Sequence, residues 1–209
     1  ALNLLQGVPG VTVRALSQPE TGCLHDYQLQ PDDLRLLSQA DLLLLNGAGM
    51  EASFLDRIFQ QYPDLPQVDS SAGVQLLASS VAHEHGSEHE HESHEPPHEH
   101  EQNGHIWMSV GNAMQQVRNI AEALCALLPG DAAAIRSNEA AYLARLETLQ
   151  SDMRAATAPL SGAAIVTYHD AFAYLADEQG LRVAATLVAD PEDTPSTRAV
   201  ASLVDEIRS

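Results

Sequence analysis

The segment DAAAIRSNEAAYLARLETLQSDMRAATA, residues 131–158, decides the fold that this sequence predicts. Its apolar side chains recur at intervals of seven and four residues, which is the spacing of one face of an α-helix. They are Ile135, Tyr142, Leu146, Leu149 and Met153. At 1.5 Å per residue the helix would be roughly 40 Å long, enough to run along a whole small domain. Asp131 stands where the N-cap would be, and we expect this helix to join two lobes.

The residues before this helix alternate between strand patterns and helix patterns. We predict strands in VTVRALS (11–17), DLLLLNG (41–47) and LPQVDSSAG (65–73). We predict helices in PDDLRLLSQA (31–40), which has proline at its first position, and in MEASFLDRIFQQY (50–62). This alternation is typical of a doubly wound α/β sheet with parallel strands.

Similar patterns flank the long helix on both sides. The stretch HIWMSVGNAMQQVRNIAEALCALLPG (105–130) predicts a helix that Ser109 caps and that Pro129 and Gly130 end. Beyond the long helix, the predicted elements are strands in AAIVTYH (163–169) and LRVAATLV (181–188), and helices in DAFAYLADEQG (170–180) and TPSTRAVASLVDEIRS (194–209).

These elements divide the chain into three predicted parts. An N-terminal α/β lobe spans residues 1–130, a linker helix spans 131–158, and a C-terminal α/β lobe spans 159–209. The second lobe shows only two strands, which is an incomplete core. We therefore expect further residues beyond 209, and also before residue 1.

The composition restricts the functions that the chain can have. A hydrophobic content of 44% is that of a globular protein with a core. Ten Lys and Arg against 29 Asp and Glu give a formal net charge of −19. Nucleic acids and anionic membrane surfaces are therefore excluded as partners, since phosphate binding needs clustered positive charge. The same field favours a cationic ligand.

A tract rich in histidine and glutamate interrupts the first lobe. The stretch HEHGSEHEHESHEPPHEHEQNGH, residues 83–105, carries eight of the ten histidines and no lysine or arginine. It has almost no apolar residues, so residues 83–104 are predicted to be a disordered insertion. Its interchangeable histidines are candidate auxiliary zinc ligands: His83, His85, His89, His91, His94, His98 and His100. We assign the tract a zinc-gathering, sensing or buffering role, against the alternative of a solvated loop of little consequence.

Three histidines differ from these repeats because each has distinctive neighbours, in HDY, HIW and YHDAFAYLA. His169 ends a predicted strand and His25 lies in the loop after one, so both fall at the edge where open α/β sheets bind ligands. His105 ends the tract. Three imidazoles from distant segments can hold zinc in a cleft. The alternative for each histidine is an ordinary hydrogen-bonded residue. Asp26 and Asp170 are candidate ligands or orienting groups. For Asp170 we favour the role of N-cap of the next helix. The positive end of that helix would disfavour a charged imidazolium and so keep His169 neutral.

The two cysteines, Cys23 and Cys125, lie far apart and form no metal or redox motif. Either they form a disulfide or Cys125 is a packed free thiol on a helix. No apolar run approaches the ~20 residues of a membrane-spanning helix.

Taken together, four stretches resemble the metal-binding solute-binding proteins of ABC transporters, the cluster A-I or ZnuA-like (TroA-like) zinc family. They are GCLHDYQLQPDDLRLLSQADLLLLNGAGMEASF (22–54), HIWMSVGNAMQQVRNIAEAL (105–124), YHDAFAYLADEQGL (168–181) and DTPSTRAVASLVDEI (193–207). The resemblance covers nearly the whole chain, and it depends on the order of the stretches as well as on their residues.

The resemblance implies two Rossmann-like lobes joined by a long rigid helix, with the metal in the cleft between them. It implies that His25, His105 and His169 are the ligands. A third histidine, where manganese-carrying relatives typically have glutamate, favours zinc. The acidic residue that often completes the family's site has no counterpart here, so the fourth ligand stays open between water, a tract histidine and a residue beyond 209.

The function implied is capture of Zn²⁺ outside the cytoplasmic membrane, in the periplasm or on a lipoprotein, and its delivery to an ABC permease. We expect a monomer that is not an enzyme. The alternatives are a member of the same family that binds Mn²⁺ or another divalent metal, and a zinc storage or chaperone protein acting through the tract alone. A zinc hydrolase with Asp26 or Asp170 as base is disfavoured because the sequence has no HExxH or comparable helical pair.

Overall fold

The computed structural model describes residues 1–17, 24, 27–79, 102–188, 194–197, 200–201 and 203–204. Its helices are α1 (Pro31–Leu37), α2 (Ala52–Gln61), α3 (Val110–Leu127), α4 (Ala132–Thr157) and α5 (Ala173–Gln179). Its strands are β1 (Leu43–Leu45), β2 (Gln67–Asp69), β3 (Ala164–His169) and β4 (Arg182–Val188). Short 3₁₀ turns cover Ile106–Met108, Pro129–Asp131 and Ala158–Leu160.

The first sheet pairs β1 and β2 in parallel, with Leu44 opposite Val68. One hydrophobic cluster packs this sheet against α1 and α2: Tyr27, Leu29, Leu37, Leu43, Leu45, Phe54 and Ile58. The predicted strands in 41–47 and 65–73 and the two predicted helices are therefore confirmed. Parallel pairing is what an αβ alternation produces, since the intervening helix returns the chain to the same end of the sheet.

The strand predicted at residues 11–17 is wrong. Residues 11–15 carry no regular structure, and residues 12–15 are exposed. Across the described ranges, neither sheet pairs a strand with this segment. An alternating pattern alone does not make a strand, because a ladder of hydrogen bonds needs a partner.

Helices α3 and α4 pack together on a second cluster that also takes in the N-terminal turns. Its buried members are Leu4, Val8, Val110, Met114, Val117, Ala121, Leu124, Ile135 and Leu146. The predicted helices are confirmed, and the Ser109 hydroxyl caps α3 by accepting the Asn112 N–H at 3.1 Å. Leu149, predicted on the apolar face of α4, is 46% exposed. Asp131 makes no side-chain capping bond, because a 3₁₀ turn leads into α4 instead.

The second sheet pairs β3 and β4 in parallel, with His169 opposite Val188 at its end. Helix α5 ends at Gly180, which adopts the left-handed conformation that glycine takes most easily (φ 67°). The prediction that Asp170 caps this helix is wrong, because α5 begins at Ala173 and its N-cap position is Phe172. A helix start directly beside His169 is therefore absent from the structure.

Side chains tie the second sheet region to α3 and α4. The Glu178 carboxylate accepts the backbone N–H of Val110 at 2.6 Å and of Gly111 at 3.1 Å. Gln150 of α4 donates to the same carboxylate, and Thr157 donates to Gln179 at 2.8 Å. These bonds hold α5, which follows β3 in the chain, against the helix pair.

The α/β fold with a long connecting helix is thus confirmed, although each sheet has two strands within the described residues. The division of the chain at residues 130 and 159 stays a prediction. Cys125 is a free thiol, partly buried against the α3–α4 cluster, as the packed-thiol alternative expects. No helix among the residues that the structure describes is long and apolar enough to cross a membrane.

Candidate metal centre

His105 lies in the turn that leads from the extended chain at 102–104 into the 3₁₀ turn before α3. It is 5% exposed, and Trp107 lies beside it with a ring-centroid separation of 5.3 Å. Its Nδ1 is 3.0 Å from Oδ1 of Asn103. The same Oδ1 accepts the backbone N–H of His105 at 2.9 Å. The atom that accepts this N–H is the carbonyl oxygen of the amide, which can only accept, so Nδ1 carries the proton and the lone pair of neutral His105 is on Nε2.

His169 is the last residue of β3, at the carboxyl end of the second sheet. Its ring is half-buried, and its Nδ1 is buried without a hydrogen-bond partner among the described residues. Its Nε2 points at His105 instead. A strand that ends at this edge places its last side chain where α/β folds bind ligands.

The two imidazoles converge on one point. Nε2 of His105 lies 3.0 Å from Nε2 of His169, and the rings meet edge to face at a centroid separation of 4.7 Å. Two nitrogens bound to one tetrahedral zinc at about 2.0–2.1 Å are about 3.3 Å apart. The observed separation therefore needs a shift of only a few tenths of an ångström to admit the ion. A hydrogen bond between the two rings is the other arrangement that this distance allows.

Asn103 links the two histidines through its carboxamide. While Oδ1 serves His105, Nδ2 donates to the backbone oxygen of Asp170, the residue after His169, at 2.6 Å. The backbone oxygen of Asn103 accepts the Tyr174 hydroxyl at 2.8 Å. Burial raises the pKa of Tyr174, and the charge of Asp170 adds to this rise. A neutral Tyr174 hydroxyl stays available as a donor.

A second set of bonds fixes the chain before His105 on the first sheet. The Asn46 amide donates to the Gly104 backbone oxygen at 2.9 Å, and Gln116 of α3 donates to Asn46 Oδ1 at 3.0 Å. Buried Glu51 accepts the backbone N–H groups of Asn46 and Gly47 at 2.6 and 3.1 Å. The carboxyl end of β1 thereby positions the segment that carries His105.

Other predicted site residues are placed differently or fall outside the described residues. His25, Asp26 and all seven tract histidines lie outside them. The Asp170 carboxylate accepts the Ser79 hydroxyl at 2.8 Å. Within the described ranges, no three His, Cys, Asp or Glu side chains are grouped to hold a metal ion. The ligand roles of His25, His105 and His169 therefore stay predictions.

Two residues that shape this site, Asn103 and Tyr174, are hardly apparent from the sequence. Asn103 stands at the end of a polar tract, where it is indistinguishable from the surrounding solvated residues. Tyr174 fits the apolar face of α5 equally well as a core residue. A small signal existed for Asn103, because an amide two residues before a buried histidine can bond back to that residue's backbone N–H.

The chain is similar in sequence to a known family of proteins. The sequence profile of one family, described as "Zinc-uptake complex component A periplasmic" (ZnuA), matches residues 6–209. The chain belongs to the ZnuA family. One relative is the zinc-binding protein AdcA of Streptococcus pyogenes serotype M3. It is 29% identical over 185 residues, covering 86% of this chain and 36% of AdcA.

The chain is also similar to a relative named for another metal and to a solved structure. The iron-binding protein YfeA of Yersinia pestis is 28% identical over 210 residues, covering 99% of this chain and 62% of YfeA. A crystal structure of ZnuA superposes with a TM-score of 0.77 at 25% identity, covering 97% of this chain and 72% of that chain. The present chain thus spans about a third of AdcA and less than two-thirds of YfeA.

Proposed function

We propose that this ZnuA-family chain captures Zn²⁺ between His105 and His169 and delivers it to an ABC permease. The observation that carries the proposal is the 3.0 Å approach of the two Nε2 atoms. It brings together nitrogens from segments 64 residues apart. Each comes from the edge of its lobe that would line a cleft, and the tautomer of His105 leaves Nε2 ready to bind a metal.

His25 is proposed as the third ligand. It stands between Leu24, which packs against the first-sheet cluster, and Tyr27, which is part of that cluster. The family resemblance assigns the same residue. A fourth position stays for water, a tract histidine or another residue, which suits a site that must release its ion.

Zinc is favoured over manganese because of the donor atoms. Imidazole nitrogen suits zinc, whereas Mn²⁺ prefers carboxylate and carbonyl oxygen. The relative named as zinc-binding and the one named as iron-binding have nearly equal identity to this chain. The proposal of zinc therefore depends on the imidazole pair and not on either relative.

A role in transport is supported by the family, whose description is a periplasmic component of a zinc-uptake complex. We place the chain outside the cytoplasmic membrane, as a monomer that binds its cargo without chemical change. The acidic surface, with a formal net charge of −19, raises the local concentration of divalent cations. The histidine tract supplies weak auxiliary sites beside His105 and collects zinc for the tight site.

The test is a zinc titration by competition with a chromophoric chelator, on the wild type and on single variants. His105→Ala and His169→Ala should each remove tight binding of one equivalent, and His25→Ala should weaken it strongly. The matched control is His94→Ala, which removes one tract histidine and should leave the tight site unchanged. Tight binding that survives both His105→Ala and His169→Ala would refute the proposed site and favour storage by the tract.

Three further experiments separate the remaining alternatives. Removing residues 83–101 should abolish the weak equivalents and keep the tight one. Parallel titrations with Mn²⁺ should give weaker binding than with Zn²⁺. Hydrolysis of an ester or peptide by the zinc form, abolished by His169→Ala, would instead establish a hydrolase.

A further inference from the structure

The carboxamide of Asn103 makes three hydrogen bonds beside the candidate metal centre. Asn103 is 3% exposed. On one side Oδ1 receives both N–H groups of His105, from the backbone at 2.9 Å and from Nδ1 at 3.0 Å. On the other side Nδ2 donates to the Asp170 backbone oxygen at 2.6 Å.

The main chain of Asn103 is held as firmly as its side chain. Its N–H donates to the Leu77 backbone oxygen at 2.9 Å, and its carbonyl oxygen accepts the Tyr174 hydroxyl at 2.8 Å. That hydroxyl accepts the Leu77 N–H at 3.0 Å. Leu77 and Tyr174, from distant parts of the chain, thus fix the main chain of Asn103, so its carboxamide is held in a fixed position relative to both histidines.

We infer that Asn103 is a positioning residue for metal binding, an inference that rests on the proposed zinc function. Through Oδ1 it selects the Nδ1–H tautomer of His105 and directs the Nε2 lone pair at the ion. Through Nδ2 it holds the backbone beside His169, which sets the spacing of the two Nε2 atoms. Asn103 touches no metal itself.

The alternative is that Asn103 only stabilises the turn between residues 102 and 105. The two roles predict different tautomers of the His105 imidazole once the Asn103 side chain is removed. A neutral histidine side chain in water favours the proton on Nε2, so loss of Oδ1 should return His105 toward that tautomer and block the ligand nitrogen. A residue that only supports the turn would change the unfolding temperature and leave the tautomer alone.

The first measurement needs no variant of Asn103. Long-range ¹H–¹⁵N correlation spectra of the metal-free wild type should show His105 protonated on Nδ1 at a pH where histidine is neutral. The His105 signals are assigned by their disappearance in His105→Gln. A metal-free wild type in which His105 carries its proton on Nε2 would overturn the inference.

The second measurement compares two variants with different hydrogen-bonding capacity. Asn103→Leu has a similar shape but neither accepts nor donates, and we expect a His105 tautomer shift and zinc affinity about 10- to 100-fold weaker. Asn103→Asp keeps the acceptor for His105 and replaces the donor to the Asp170 backbone oxygen with a second acceptor. Because a carboxylate also orients metal-binding histidines but cannot hold the Asp170 backbone, the zinc affinity of this variant should fall between those of the wild type and Asn103→Leu.

The outcomes separate the inference from the proposed function. If wild type binds no zinc tightly, the proposed function fails, whereas the tautomer measurement still decides the role of Asn103. Unchanged tautomer and affinity in Asn103→Leu would overturn the inference. So would an Asn103→Asp variant as weak as Asn103→Leu, since the acceptor for His105 is retained there.

Discussion

The backbone N–H of Val110 donates to the carboxylate of Glu178 at 2.6 Å, across 68 residues of sequence. A carboxylate from α5 thereby neutralises the positive N-terminal end of α3, where backbone N–H groups have no partner within the helix. Since α3 begins just after His105 and α5 just after His169, this bond also fixes the two histidine-bearing segments relative to each other.

Glu178→Ala should lower the free energy of unfolding by about 2–3 kcal/mol, because it removes a buried acceptor of charge-assisted hydrogen bonds. Glu178→Gln, which keeps one acceptor oxygen, should lose less. Urea denaturation measures both. Glu147→Ala, an exposed glutamate on α4, is the matched control and should be nearly neutral. Equal losses at Glu178 and Glu147 would contradict this account.

Gly47→Ala should be much more destabilising than Gly49→Ala. Both glycines have positive φ, 81° and 79°, so both variants pay the same backbone strain of about 1 kcal/mol or more. A Cβ at Gly47 would overlap Asp69 Oδ1, whereas one at Gly49 would meet nothing within 4 Å. Asp69 cannot swing away freely, because Ser71 donates to the same oxygen at 2.8 Å and 2.6 Å.

The additional loss at Gly47 should be about 1–3 kcal/mol, the usual range for forcing atoms into a packed site. Thermal unfolding of the two variants measures it. If the two alanine variants unfold at the same temperature, the close approach of Gly47 to Asp69 is not a constraint on the fold.

Glu51→Gln should change how stability depends on pH. Burial raises the pKa of Glu51 above its ordinary value of 4.5, and the charge of Asp69 adds to the rise. The folded state therefore binds more protons than the unfolded state just above pH 4.5, so this group's contribution to stability falls as pH rises. The free energy of unfolding of the wild type minus that of Glu51→Gln should therefore decrease from pH 4 to pH 7. Urea denaturation at several pH values measures it, and a difference that grows with pH would contradict the assignment.

Zinc should stabilise the folded chain against heat. A ligand that binds only the folded state at a free concentration about 100 times its Kd adds about 2.7 kcal/mol. Addition of a chelator should reverse the increase in Tm. The increase should disappear in His169→Ala, and a full increase in that variant would place the stabilising zinc elsewhere, in the histidine tract first of all.

Much of the fold could be predicted from the sequence because its elements follow from local spacing. The apolar residues of 131–158 recur with the period of a helix, and α4 forms there. The short apolar run at 41–47 gave a buried parallel strand, and Ser109 caps α3 as its type and place predict. His105 and His169, which the sequence distinguishes by their neighbours, approach each other to 3.0 Å at Nε2, while their roles as ligands stay predictions.

What the sequence alone determined is therefore the set of helices and buried strands, whose periodicity is a property of neighbouring residues. Only the tertiary structure decided that residues 11–17 form no strand, that α5 begins at Ala173 and not at Asp170, and that Asn103 faces His105 while Glu178 faces α3. These outcomes depend on hydrogen-bond partners from segments distant in sequence. The residues next to a donor or acceptor in the sequence do not indicate which distant group will bond to it, so the partner is decided only when the chain packs.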